Sequence, residues 1–547
     1  MRPLGCCGVS PRWCVCLFAI ALTLSFGVVT GAPPLRERID EIIERPANGI
    51  PPPLANDAEF LRRAYLDLRG VIPGAAEARE FLADKSPDKR TKLIDRLLAA
   101  PEYPRRMREV FSVMLMERLG ADAAWDQYLE ESFKANKPWD ALVREILRGD
   151  EGENGALRGS MFFYTKRLEN YGQNPVDKDG LARDIGRLFL GMDLQCAACH
   201  NHLFIKDYKQ QDYQGLFAFI EATSLQPGGK PSLLEGLLTK RREFNSVFKP
   251  DEKHATGPRL PGGEEVAIPV LKKGEEFAVP PDPRKRTGGV PKFSPRRELA
   301  ERLPRPDNAA FKRNIANRLW WLMMGRGLVE PLDQHHSENP PSHPEALALL
   351  GDELAAMKFD MKVVLRELAL SRTYQRTSTI PAGQKVPRET FLVANEKALS
   401  AEQLARSVMQ ATGPVGHAAR VPSDGHASRV SHEKALADFL KAFANPPRDP
   451  EIEFRPSVKA ALFMSNSDLV VSWLEPKDGN LTDRLSKMSD ARQLAEELYL
   501  SVLSRLPTEE ETSALAAYLA KRQDNRVQAV KNLAWSLLAS TEFCVNH

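Results

Sequence analysis

The pentapeptide Cys196-Ala197-Ala198-Cys199-His200 is the densest group of reactive side chains in the sequence, and His202 stands two places beyond it. Cys-x-x-Cys-His is the spacing of covalent c-type haem attachment. Two thiols about one turn apart can each add an S–H across a haem vinyl group, and the imidazole that follows reaches the iron from the same side. On this reading Cys196 and Cys199 carry thioethers. His200 is the proximal axial ligand, its second ring nitrogen held by a hydrogen-bond acceptor. Three other chemistries use the same residues. A thioredoxin-type redox pair expects a strand-then-helix pattern that is missing here and leaves His200 without a role. A zinc site of Cys196, Cys199, His200 and His202 has suitable ligand types, yet so short a segment crowds a tetrahedron. The third is a structural disulfide beside a surface histidine. For the sixth position on a haem iron the sequence offers Met192, Met323, Met324, His335, His336 and His343. An open position favours ligand binding or redox catalysis, whereas Met or His there favours electron transfer alone.

Covalent haem attachment follows export, and the first residues have the layout of an export signal. Arg2 and Arg12 precede an uncharged apolar run from Trp13 to Val29, followed by the small residues Thr30, Gly31 and Ala32. Residues 1–32 are therefore expected to be a signal peptide, and the protein periplasmic or otherwise associated with the cell envelope. Cys6, Cys7, Cys14 and Cys16 lie within that segment. Only Cys196, Cys199 and Cys544 remain beyond it, which excludes a disulfide scaffold. No later run reaches the length of a transmembrane span.

Composition sets further bounds. The 547 residues include 76 Lys and Arg against 73 Asp and Glu, so no charge excess points to nucleic acid or an anionic membrane. A hydrophobic share of 42% excludes intrinsic disorder. There is no Gly-rich phosphate loop and no nucleophile elbow.

The elements that must position the motif read as helices. Phe60, Leu61, Ala64, Tyr65 and Leu68 recur at helical spacing up to Gly70. Ser86-Pro87 reads as a cap and first turn before Leu93, Ile94, Leu97 and Leu98. Trp139, Leu142, Val143, Ile146 and Leu147 form a stripe closed by Gly149, and Ile185, Leu188, Phe189 and Met192 lead towards Cys196. Between Gln226 and Pro295 Pro and Gly become dense. There the alternation Val266, Ile268, Val270, a turn at Lys273-Gly274, then Phe277 and Val279 predicts a small β-hairpin. Helices resume with Phe311, Ile315, Leu319 and Trp320. His343-Pro344 opens another, Asp360 caps the next, and Ser400/Gln403 and Thr508/Glu511 form capping boxes. Thr412–Ser431 reads as a loop. The expected fold is mainly α: a helical cytochrome-like domain at 33–225, a Pro/Gly-rich connector with a small β element at 226–295, and a helical companion domain at 296–547.

Several stretches together resemble a known architecture. Leu190-Gly191-Met192-Asp193-Leu194-Gln195 running into Cys196–His202, Asp212-Tyr213, and Arg63-Ala64-Tyr65-Leu66-Asp67-Leu68-Arg69-Gly70 resemble the planctomycete domain PSCyt-two. Asn317-Arg318-Leu319-Trp320, Gly325-Arg326-Gly327-Leu328-Val329, Asn339–Pro344, Ser371-Arg372-Thr373-Tyr374 and Ser504-Arg505-Leu506-Pro507 resemble its companion PSD-one. Leu203 stands where such proteins usually carry Pro, and Asn201 where an acidic residue is frequent. The resemblance implies an exported cytochrome-like protein and names no substrate. The expected function is electron transfer by one haem c to a redox partner in the cell envelope, as a subunit beside a periplasmic oxidoreductase. The alternative is a non-redox envelope scaffold with a structural Cys/His zinc site or disulfide.

Overall fold

The computed structural model describes residues 33–45, 53–150, 152–169, 176–226, 232–282, 284, 288–413, 426–449, 463–464, 467–477 and 479–547. The expected signal peptide at 1–32 lies outside them. Helices dominate, and the strands form only two-stranded sheets.

Most helices begin and end where local chemistry places them. In Trp139–Arg148 the five apolar residues of one stripe are all buried, and Gly149 closes the helix in the left-handed region at φ 54°. Ser400 and Thr508 each accept from the amide three residues on, and Gln403 and Glu511 return the bond. Asp360 accepts from the Val363 amide. Ser86 does not cap: the helix starts at Lys89, and the Ser86 hydroxyl instead donates to Asp84 Oδ1 at 2.7 Å. The region read as a loop at Thr412–Ser431 is partly helical, since Thr412 ends the helix Ala401–Thr412 and a further helix spans His426–Phe443; residues 414–425 lie outside the described residues.

The hairpin is displaced from its expected place. Val266–Val270 forms no strand, because Pro269 interrupts the run and cannot donate to a ladder. Phe277–Val279 is a strand, but it pairs with Val290–Pro291. The longer hairpin joins Arg242–Ser246 to Lys249–Thr256, a charged and exposed sequence without apolar alternation.

Two apolar cores organise the helices, and both cross the boundary drawn in the sequence. The first joins residues from Leu35 to Val266 with residues from Leu299 to Phe391 and with Leu500. Trp139 lies at this junction, with ring centroids 5.4 Å from Phe111, 6.3 Å from Phe189 and 6.5 Å from Phe311. The second core spans Leu399 to Phe543 and takes in Leu66 and Ile72 from the N-terminal half. Polar contacts reinforce the junction. Arg62 Nη2 donates to the Phe543 carbonyl at 2.7 Å, and Arg63 Nε to the His547 carbonyl at 3.0 Å. Asp67 accepts from Lys397 Nζ at 2.6 Å, Asn546 Nδ2 at 2.8 Å and the Tyr374 hydroxyl at 2.8 Å.

Candidate functional site

The helix Lys178–Ile185 passes directly into a π-helical turn, Gly186–Leu190, which ends at Gly191 with φ +71°. A Cβ on Gly191 would come within 2.7 Å of His335 Cδ2, so glycine is needed both for the backbone conformation and for this close approach. The His335 amide donates to the Gly191 carbonyl at 2.9 Å, and the Asp193 amide to the Asp333 carbonyl at 3.0 Å. The segment preceding the cysteines is thus seated on residues of the C-terminal half.

Gln195–Ala198 forms a 3-10 turn. Cys196 lies within it and Cys199 is the residue that closes it. Both thiols are exposed and free, while Ala197 is fully buried and anchors the turn. Helix Gln210–Ala218 fixes it from below: Gln210 Nε2 and Gln214 Nε2 donate to the Ala198 carbonyl at 3.3 and 2.8 Å. The Val247 amide, at the hairpin tip, donates to the Cys199 carbonyl at 3.1 Å.

The two histidines are used differently. His200 Nδ1 lies 2.7 Å from the Asn201 carbonyl. A carbonyl only accepts, so Nδ1 carries the proton and Nε2 keeps its lone pair. His202 Nδ1 accepts from the amides of Phe204 and Ile205 at 3.2 and 2.9 Å, which puts the proton on Nε2 and leaves no lone pair for a metal. The four donors of the zinc alternative do not converge: among the described residues no three of His, Cys, Asp or Glu are grouped to hold a metal ion.

Around the motif lies apolar surface of unusual exposure. Leu203, Phe204, Val247 and Phe248 are 66%, 80%, 60% and 64% exposed, and the Phe248 ring centroid is 4.7 Å from that of His200. A free thiol pair, an imidazole with Nε2 available and a bare apolar rim match the donor set and the flat apolar faces of a haem, so the residues present fit the group. Of the residues considered for the opposite axial position, Met323, Met324 and His335 are buried in the core. Met192 is half-buried and packs against the core, and His343 packs on Phe391. His336 is linked to the motif loop through Tyr208, whose ring meets His336 at 5.4 Å and His202 at 6.1 Å.

Burial pushes the His335 imidazole down to about 3 from an ordinary 6.5. The unfolded chain therefore takes up this proton first, so the stabilisation is complete above the unfolded pKa and is lost as pH falls below it. Between pH 7 and 5 the wild type is expected to lose about 2 kcal/mol more unfolding free energy than His335→Gln, a difference read from urea titrations at the two pH values. Parallel pH profiles would rule this out.

Sequence reading missed a second feature. A cavity of about 740 Å³ lies between the two halves, lined by residues that include Asp67, Arg106, Glu109, Arg187, Arg318 and Lys397. Charged residues on otherwise apolar helix faces, as at Arg106 and Glu109 beside Met107 and Phe111, were the signal available. Cys544, the third thiol, also lines it, and burial raises its pKa.

Residues 38–224 match PSCyt2, described as a protein of unknown function (DUF1549), and residues 295–519 match PSD1, described as a protein of unknown function (DUF1553). No curated protein matches the chain, and no solved structure does. Among the described residues no helix is long and apolar enough to cross a membrane.

Proposed function

We propose, for a chain that belongs to the family pairing PSCyt2 with PSD1, that Cys196, Cys199 and His200 hold one covalently attached c-type haem. The protein then passes single electrons to a partner protein of the cell envelope after export. The observation that supports this most directly is the state of three donors on one short turn. Two free, exposed thiols stand three positions apart, and the imidazole next to them has its Nδ1 bonded to a carbonyl, leaving Nε2 for iron. When bound, the group supplies one-electron reduction and oxidation. The chain's own residues orient and shield it. Gln210, Gln214 and the Val247 amide hold the turn, and Leu203, Phe204, Val247 and Phe248 offer apolar contact while leaving the site open towards a partner. Export is supported by Arg2, Arg12 and the uncharged run Trp13–Val29.

The test is to produce the full chain in cells that carry a cytochrome c maturation system. The expected result is a Soret band and a mass, stable to denaturation, that includes haem. Protein without either, whose Cys196 and Cys199 titrate as thiols or release zinc on chelation, would replace this reading with the scaffold alternative.

A further inference from the structure

The cavity between the two halves holds polar groups that the packing of the protein does not satisfy. Most of its charges are paired: Glu402 with Arg118 at 3.0 Å, Glu117 with Arg187 at 2.6 Å, Asp67 with Lys397 at 2.6 Å. Arg106 and Arg318 differ. They are 6% and 5% exposed, and among the described residues neither forms an ion pair with a carboxylate. Arg106 Nε reaches only the Asp67 carbonyl, at 3.4 Å. Arg318 Nε donates to Asn314 Oδ1 at 3.0 Å and Nη2 to the Arg187 carbonyl at 3.1 Å. Burial works against both charges and brings Arg318 down to about 10. Carboxylates act on both from beyond ion-pair distance, Glu109 and Asp67 on Arg106, Asp333 and Glu117 on Arg318, and burying a cation without a direct partner is costly, a cost characteristically retained at functional sites.

Other polar groups of the wall are held within the protein: Glu109 Oε1 accepts from Arg406 Nη2 at 2.5 Å, and Asn546 Nδ2 donates to Asp67 Oδ1 at 2.8 Å. Trp321, half-buried, contributes an aromatic side chain to the wall. A ligand that answers these features carries an anionic group for the guanidiniums and a carbon frame for the indole. We propose that this cavity binds a small organic anion, a carboxylate or phosphate ester of about the size of a sugar acid. Its volume of about 740 Å³ lies within the range of small-molecule sites. The inference is independent of haem at Cys196–His200.

Calorimetric titration of the full chain with glucuronate and with glucose 6-phosphate tests it, glucose serving as the uncharged control. The expected result is saturable binding of at least one anion, at least roughly tenfold tighter than glucose. Arg106→Met and Arg318→Met remove the cation and keep an apolar side chain of similar length. Each should weaken anion binding by roughly tenfold or more. No binding of either anion at about 10 mM, or glucose binding as tightly, overturns the proposal, and this comparison does not depend on either variant folding. Unchanged anion affinity in both variants overturns it equally.

Discussion

Asp67→Ala is expected to destabilise the protein by about 3–5 kcal/mol, the range for removing one partner of a buried ion pair. Asp67 is 2% exposed, and its two carboxylate oxygens accept from Lys397, Asn546 and Tyr374, three residues from distant parts of the sequence. Their loss leaves a buried ammonium, an amide and a phenol with fewer partners. Lys397 Nζ keeps the carbonyls of Leu322 and Met323, at 3.1 and 3.0 Å, which places the effect within that range rather than above it. Burial already lowers the Lys397 pKa, and Asp67 opposes that fall. Without the carboxylate the ammonium sheds its proton more easily, so the penalty should shrink as pH rises. Against a typical total stability of about 5–15 kcal/mol the variant should show a large loss in urea midpoint at pH 7. A change under about 1 kcal/mol would mean that the group is solvated in the native state.

The double variant Cys196→Ala/Cys199→Ala gives the opposite profile. Both thiols are exposed and free, so folding stability should stay within about 0.5 kcal/mol of the wild type when neither protein carries haem. Haem that survives denaturation should vanish from protein made with a maturation system, as read by peroxidase staining of a denaturing gel. Each single variant should keep one thioether. His200→Ala should keep covalent haem but lose the low-spin spectrum. Equal staining of double variant and wild type would remove the attachment reading.

What was legible beforehand was what local chemistry decides. The stripe Trp139–Leu147 with its closing Gly149, and the reciprocal boxes Ser400/Gln403 and Thr508/Glu511, need only residues within a few positions of each other. The Cys196–His200 motif is equally local. The hairpin was misplaced because its true sequence, Arg242–Thr256, buries little and lacks the apolar alternation by which strands are recognised, whereas Val266–Val270 has the alternation but contains Pro269. The division of His200 and His202 into one ring with a free Nε2 and one that caps a turn depends on the path of Leu203–Tyr208, which spacing does not reveal. The cavity was hidden for a different reason. Asp67, Arg106, Arg318 and Lys397 each read as ordinary surface charges until chain segments some 330 positions apart meet, as Asp67 and Lys397 do.

That meeting governs how the molecule can be divided. The hydrogen bond from Arg62 to Phe543 closes a loop of 481 positions, and Leu66 and Ile72 sit inside the core formed by residues 399–543. The entropy cost of closing so long a loop grows only logarithmically with its length, so the packing of the shared cores can offset it. Severing the chain in the connector would therefore break one cooperative unit instead of releasing two, the N-terminal fragment left with Arg62 unpartnered and both fragments with an apolar face turned to water.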